Sequence, residues 1–255
     1  MKTMLAVDER HWWYRGRRRI IRAELDSLHL HLHLPRLAVV LDAGCGSGRT
    51  LQELAPLGEV HGIELDPEAA ELARSRGHGE VQVGRLEELP WPAASFDLIT
   101  CLDVIEHTPD DRATLRELRR VARPGAWLLL TVPAYQALWS THDVVNHHFR
   151  RYNRRMLRAA ARDTGWRLER LTAFNSLLLV PAAAVRLAQR RRLNAGAEGE
   201  GKTNLELGPS WLNGVLERPL QAEAAWLRGG RTLPAGLSLL ALLRNGQPPP
   251  HGTAA

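Results

Sequence analysis

Three glycines at alternate positions follow an aliphatic run in "LDAGCGSGRT", residues 41–50, with the acid Asp42 just ahead of them. A strand that ends on glycines lets its backbone approach a ligand closely, because no Cβ stands in the way. The spacing Gly44-x-Gly46-x-Gly48 falls one position short of the dinucleotide fingerprint G-x-G-x-x-G. Arg49-Thr50 also lacks the lysine of a phosphate-binding loop. Glu64 closes the next aliphatic run, "GEVHGIEL". An acid there, beside a glycine turn on the preceding strand, suits a bidentate hydrogen bond to a ribose diol. The plainer alternative is an exposed carboxylate at a strand end. The ligand these residues suit is a nucleoside whose far end needs no phosphate cradle.

Two other stretches could do chemistry. "LDVIEH" places Asp103, Glu106 and His107 directly after a buried-looking run. "YQALWSTHDVVNHHFRRYN" gathers His142, Asp143, His147, His148, Arg150, Arg151 and Tyr152. Adjacent arginines beside an aromatic can grip a phosphate or carboxylate, and the sequence offers this pair no structural partner. The other reading is a solvated charged loop leading into a helix. His29, His31 and His33 alternate with leucines, but no carboxylate or cysteine accompanies them, so a helix tail running to Pro35 is preferred to a metal strand.

The elements that must position these residues follow from periodicity. Residues from Asp8 to Leu28 read as a helix. From residue 37 strands and helices alternate: "LAVVLDAG", Gly48–Leu54, "GEVHGIEL", Pro67–Arg76, "EVQVG", "FDLITCL", Pro109–Val121, "AWLLLTV", "RRMLRAAARDTG" and "WRLERLTAF". Residues 175–192 and 209–228 read as helices around the flexible loop "NAGAEGEGKTN", and "LSLLALLRN" as a last strand. The expected fold is α/β: a Rossmann-like, mostly parallel seven-stranded sheet with helices on both faces. The boundaries are an N-terminal helical cap (1–35), the sheet domain (36–175), a helical insertion (176–232), the last strand (233–245) and a disordered tail (246–255). The apolar stretch 177–188 is expected to pack on its own domain. With Arg190, Arg191 and Arg192 behind it, the alternative is an anionic membrane surface.

The 255 residues are 44% hydrophobic and 24% charged, which suits a packed core and excludes wholesale disorder. A net charge of +6 raises the question of nucleic acid, but charge alone reports non-specific attraction, and nucleic acid is not the expected partner. Cys45 and Cys101 are too few for a disulfide framework and form no CxxC pair. The N-terminus lacks the apolar core of a signal peptide, and no apolar run reaches the roughly 18 residues of a bilayer span. The expected location is the cytoplasm, with peripheral contact at the inner membrane surface as the alternative.

Taken together, Asp42-x-Gly-x-Gly-x-Gly, "GIELDPEAAELAR", the turn "LPWP" and "DVIEH" resemble class I S-adenosylmethionine-dependent methyltransferases, in particular the ubiquinone-biosynthesis O-methyltransferase type. "HWWYRGRRRII" and "LPAGLSLLALLR" also look like bacterial members found with polysaccharide or glycolipid genes. The resemblance implies S-adenosylmethionine as cofactor. It implies that Asp42, Gly44, Cys45, Gly46 and Gly48 lie along its methionine portion, Glu64 on the ribose, and Leu65 and Leu86 at the adenine. Leu102 would offer its carbonyl to the ammonium. Where such enzymes carry an aspartate for the adenine amino group, this chain has Arg85, and Glu87 is the nearest substitute. It also implies methyl transfer to a small-molecule or lipid- or glycan-linked acceptor, at oxygen.

For a hydroxyl acceptor, His107 is placed to act as base, with Glu106 beside it. The alternatives are that the two cap the following helix, or that Asp103, Glu106 and His107 hold a divalent metal, although none is expected. Trp13, Arg17, His148, Arg150, Arg151 and Tyr152 are the expected acceptor contacts. An RNA-modifying methyltransferase and a non-catalytic S-adenosylmethionine-binding module are the competing functions.

Overall fold

The computed structural model describes residues 12–31, 34–35, 37–185 and 210–246. Seven strands form one sheet: β1 Ala38–Ala43, β2 Gly58–Glu64, β3 Glu80–Val83, β4 Phe96–Leu102, β5 Ala122–Pro133, β6 Trp166–Phe174 and β7 Ser238–Asn245. Their spatial order is β3-β2-β1-β4-β5-β7-β6. The pairs β1–β2, β1–β4, β2–β3 and β4–β5 are all parallel. This is the expected α/β architecture. The order reverses after β1, so β1 and β4 lie at a switch point, where open parallel sheets open a crevice at their carboxyl ends.

The helices are α1 Trp12–His31, α2 Arg49–Leu54, α3 Pro67–Ser75, α4 Asp111–Val121, α5 Thr141–Val145, α6 Arg154–Asp163 and α7 Ser210–Arg228. Local chemistry sets their starts. Asp66 accepts the Glu68 N–H at 2.9 Å ahead of Pro67, the first residue of α3. Asp110 accepts the N–H groups of Arg112 and Ala113 at 2.9 and 3.0 Å and caps α4. Along α4, Leu115, Leu118 and Val121 recur at helical spacing and are fully buried. The Trp166 indole donates to the Leu115 carbonyl at 2.9 Å, joining β6 to α4.

The chain forms two compact units. One contains residues 34–132, 154–171 and 240–246, which hold most of the sheet; the other contains α1, residues 133–153, 172–185 and 210–239. In the second unit α1 and α7 pack closely: the two arginines Arg15 and Arg19 hold the buried Glu217 at 3.2 and 2.9 Å, and a Cβ on Gly16 would lie 2.0 Å from a Leu220 methyl.

Three expectations need correction or a boundary. The stretch after β5 is not only a loop: it contains α5, closed by a capping box between Ser140 and Asp143. The apolar stretch 177–188 is described only as far as residue 185, and that part is half covered, with Leu178, Leu179, Ala182 and Ala183 partly exposed and the other five exposed. Residues 179–185 are helical, and no residue from 176 to 185 is buried. The flexible loop at 194–204 and the tail after residue 246 lie outside the described residues.

Candidate functional site

The glycine loop sits between β1 and α2. Gly44, Gly46 and Gly48 all have positive φ, at 78°, 52° and 78°. A Cβ on Gly44 would lie 2.6 Å from a Val104 methyl, and one on Gly48 would lie 2.7 Å from the Ala73 Cα. Those two glycines are fixed by close packing. Gly46 differs, since a Cβ there would meet no heavy atom within 4 Å. Open space beside a glycine in the left-handed region is what a ligand approaching the backbone needs.

Glu64, at the tip of β2, holds this loop. One carboxylate oxygen accepts the Gly46 N–H at 2.8 Å. The other accepts the N–H groups of Leu65 and Asp66 at 2.9 and 3.1 Å. The sequence pointed to a ribose ligand here, and the structure adds a second task, bracing the loop. Arg76, which the sequence reading passed over, holds the loop from the other side through the Ser47 carbonyl at 2.7 Å. Asp42 is 2% exposed and accepts the Thr100 hydroxyl at 2.6 Å, pinning β1 to β4 beneath the loop.

A cavity of about 360 Å³ opens at this edge, lined by Gly44, Ile63, Glu64, Leu65, Gly84, Arg85, Leu86, Glu87, Asp103, Val104, His107, Thr108 and Pro109. It brings together Gly44, Glu64, Leu65, Leu86, Glu87 and His107 from four separate stretches of the chain. Asp42, Cys45, Gly46, Gly48, Leu102 and Glu106 are not among the residues that line it. Arg85 pairs with Glu87 at 3.6 Å, so the acid nearest the position of the missing aspartate already faces a cation. Ile63, Val104, Thr108 and Pro109 line the cavity without any sequence signal beyond adjacency to the motifs. Leu89 is anchored behind the wall by Glu117, which accepts its N–H at 2.8 Å, and by Arg120, which donates to its carbonyl at 3.0 Å.

The turn after β4 carries the candidate base. Asp103 adopts φ 56°, and Ile105–His107 form one turn of 3₁₀ helix. This turn exposes His107 on the cavity wall and buries Glu106, which is 1% exposed. Their ligating atoms lie within 4.8 Å of each other, in a grouping that does not include Asp103. The trio Asp103, Glu106 and His107 is therefore not gathered into one cluster. Cys45 and Cys101 are buried free thiols. Burial pushes both far above the usual thiol range, aided by Asp42 and Glu64 at Cys45 and by Glu106 and Asp42 at Cys101. Neither serves as a thiolate nucleophile at neutral pH.

The residues after β5 require the main correction. Arg151 is 2% exposed; its Nε donates to Asp143 at 2.7 Å and its Nη1 to the Ala134 carbonyl at 3.1 Å. His148 Nδ1 lies 2.9 Å from the same carboxylate. Burial pushes the Asp143 pKa up, but hydrogen bonds from His148, Arg151 and the Ser140 backbone outweigh it and hold the carboxyl well below its usual range. Tyr152 is fully buried, and its N–H donates to the Pro133 carbonyl at 2.9 Å. The guanidinium expected to lack a structural partner has two acceptors, the Asp143 carboxylate and the Ala134 carbonyl. Arg151 and Tyr152 hold the loop. Arg150 is half-buried and lies over the Phe149 ring at 5.8 Å, while Trp13 and Arg17 are half-buried on α1, Trp13 edge to face with Trp12.

Comparison with known proteins agrees with this geometry. Residues 41–130 match the family model described as a methyltransferase domain. A ubiquinone biosynthesis O-methyltransferase of Xanthomonas oryzae pv. oryzae is 36% identical over 137 residues, covering 49% of this chain and 57% of that relative. One from Xanthomonas campestris pv. campestris is 35% identical over the same length and shares. The chain thus spans just over half the length of these curated relatives. Among solved structures, the Haemonchus contortus phosphoethanolamine N-methyltransferase 2 in complex with S-adenosyl-L-methionine superposes with a TM-score of 0.57 at 17% identity, covering 88% of this chain and 52% of that one. A Methanosarcina mazei S-adenosylmethionine-dependent methyltransferase gives 0.54 at 17% identity, covering 86% and 98%. The open approach to Gly46 and the acid at the tip of β2 fit the donor those proteins share. Residues 41–130 of this chain carry a methyltransferase domain.

Proposed function

We propose that this chain transfers the methyl group of S-adenosylmethionine to an oxygen of a small-molecule or lipid- or glycan-linked acceptor. The observation that carries the reading is the exposed imidazole of His107 on the wall of the cavity that Gly44, Glu64 and Leu65 also line. When bound, the donor supplies a methyl already activated on a sulfonium. The chain's own share is to align and to deprotonate. Glu64 and the loop it braces hold the nucleoside, and Leu65 and Leu86 flank the base. His107 takes the proton of an approaching hydroxyl, and the buried Glu106 carboxylate stabilises the imidazolium that results. The named function of the Xanthomonas relatives supports oxygen as the target atom. Recognition of the acceptor by Trp13, Arg17, His148 and Arg150 belongs to the same proposal.

Incubating the protein with isotope-labelled donor and fractionated bacterial extract, followed by mass spectrometry, tests it. The expected product is a label on an oxygen of a small or lipid-extractable molecule. Label that becomes nuclease-sensitive would assign the chain to RNA modification instead. Saturating donor binding with no transfer in any fraction would make it a non-catalytic binding module.

A further inference from the structure

Residues 176–185 read SLLLVPAAAV, and none of them is buried. Leu177 is 64% exposed, Val180 76% and Val185 51%. The segment is nonetheless firmly attached. Glu223 of α7, itself 5% exposed, accepts the N–H groups of Asn175, Ser176 and Leu177 at 2.6, 2.7 and 3.2 Å. Three residues further along α7, Trp226 is 45% exposed, and the Arg231 guanidinium lies 4.5 Å from its ring centroid. One anchor thus carries both an apolar segment with an exposed face, Leu177, Val180 and Val185, and an exposed tryptophan with a cation on its face. Scattered exposed aliphatics need no explanation, but an apolar segment of ten residues with no buried member and several exposed ones marks an interaction surface.

Charge identifies what covers it. Between Asn175 and Arg192 the sequence contains four arginines, Arg186 and Arg190 to Arg192, and no acidic residue. Two copies meeting through this segment would bring together Arg231 and chains that continue in sequence with arginines and no acid, which works against a homodimer. An anionic surface with an apolar interior accepts both features at once: the aliphatic side chains enter, the tryptophan sits at the boundary, and the cations meet the headgroups. No described helix is long and apolar enough to cross a membrane, so the segment would lie on the surface.

We propose that residues 176–185, with Trp226 and Arg231, seat this protein on an anionic lipid bilayer. In purpose this rests on the proposed function, because a lipid-linked acceptor presents its oxygen at such a surface; the binding itself needs neither donor nor acceptor. The test is co-sedimentation of the full chain with vesicles of phosphatidylcholine alone and of phosphatidylcholine mixed with phosphatidylglycerol. Binding to the mixed vesicles should be at least roughly tenfold stronger and should fall with added salt. The combined variant Leu177→Ser, Val180→Ser, Val185→Ser should lose most of that binding, while its thermal midpoint and donor affinity stay unchanged. Three outcomes overturn the proposal: no binding of the wild type to anionic vesicles, equal binding by the variant, or a dimer in analytical ultracentrifugation that the variant dissociates. Methyl transfer to a water-borne acceptor without vesicle binding would remove this inference alone. Vesicle binding without any methyl transfer would remove only the proposed function.

Discussion

Glu64 braces the glycine loop, and its proposed grip on the donor's ribose separates from that task by measurement. Glu64→Ala should weaken donor binding by about 1.5–3 kcal/mol for each charge-assisted bond lost, as read by titration calorimetry. Because the same side chain holds the Gly46 N–H, it should also loosen the loop, visible as faster amide exchange at Gly46 without any ligand. Unchanged affinity would remove the ribose role. His107→Ala should leave donor affinity intact and lower turnover by roughly 10²–10⁴, the range for losing a general base. If turnover survives, the imidazole is structural. Arg151→Ala belongs to a different class. Removing one partner of a buried pair costs about 3–5 kcal/mol, so denaturant midpoints should fall sharply, and Arg151→Lys should recover little of the two-directional contact. At this scale the sequence was legible where backbone geometry demands a residue type. Alternating glycines and a strand-tip acid announce themselves. It was not legible for Arg151, because an arginine in a charged stretch reads the same whether it faces water or a buried aspartate several residues away.

At the scale of elements, the segment from Ser140 to Tyr152 depends on one carboxylate. Asp143 accepts from the Ser140 N–H and hydroxyl, from Arg151, and pairs with His148. Its folded-state pKa is depressed, so its contribution to stability is fully present above the ordinary carboxylate range and is lost as pH falls through the lower folded value. The stability gap between wild type and Asp143→Asn should therefore be widest near neutral pH and shrink below about pH 4. Thermal melts of both proteins across that range check it, and a gap that stays constant with pH would show the carboxylate charge to be irrelevant. The Ser-x-x-Asp spacing of the capping box was the available signal for α5. The strands were legible from their aliphatic runs, whereas the fate of residues 177–185 was not. A uniformly apolar stretch has no polar face to show which side is covered.

For the whole molecule, the donor site should couple to folding by mass action. A ligand that binds only the folded chain stabilises it by about 2.7 kcal/mol at a concentration of 100 Kd. S-adenosylmethionine and its demethylated product should raise the thermal midpoint, while NAD and ATP should not, because the loop offers no cradle for a pyrophosphate or triphosphate. A comparable shift with ATP would overturn the donor assignment. The parallel sheet, and the carboxyl edge where a ligand would sit, followed from the alternation of strand and helix, whereas the strand order came only with the structure. What composition could not show is that α1, the residues after β5 and the helices before β7 form one compact unit, since those pieces are far apart in the chain and meet only through tertiary packing.

The parallel bridge between Ala134 and Tyr152 bears on how such a protein diversifies. It clamps the two ends of the intervening stretch side by side, with the Tyr135 N–H donating to the Tyr152 carbonyl at 2.8 Å as a second clasp. A chain segment whose ends are already joined can lengthen at little entropic expense, since closure grows only with the logarithm of loop length. Insertions between those two residues can therefore be absorbed while the strand that feeds the stretch keeps its register.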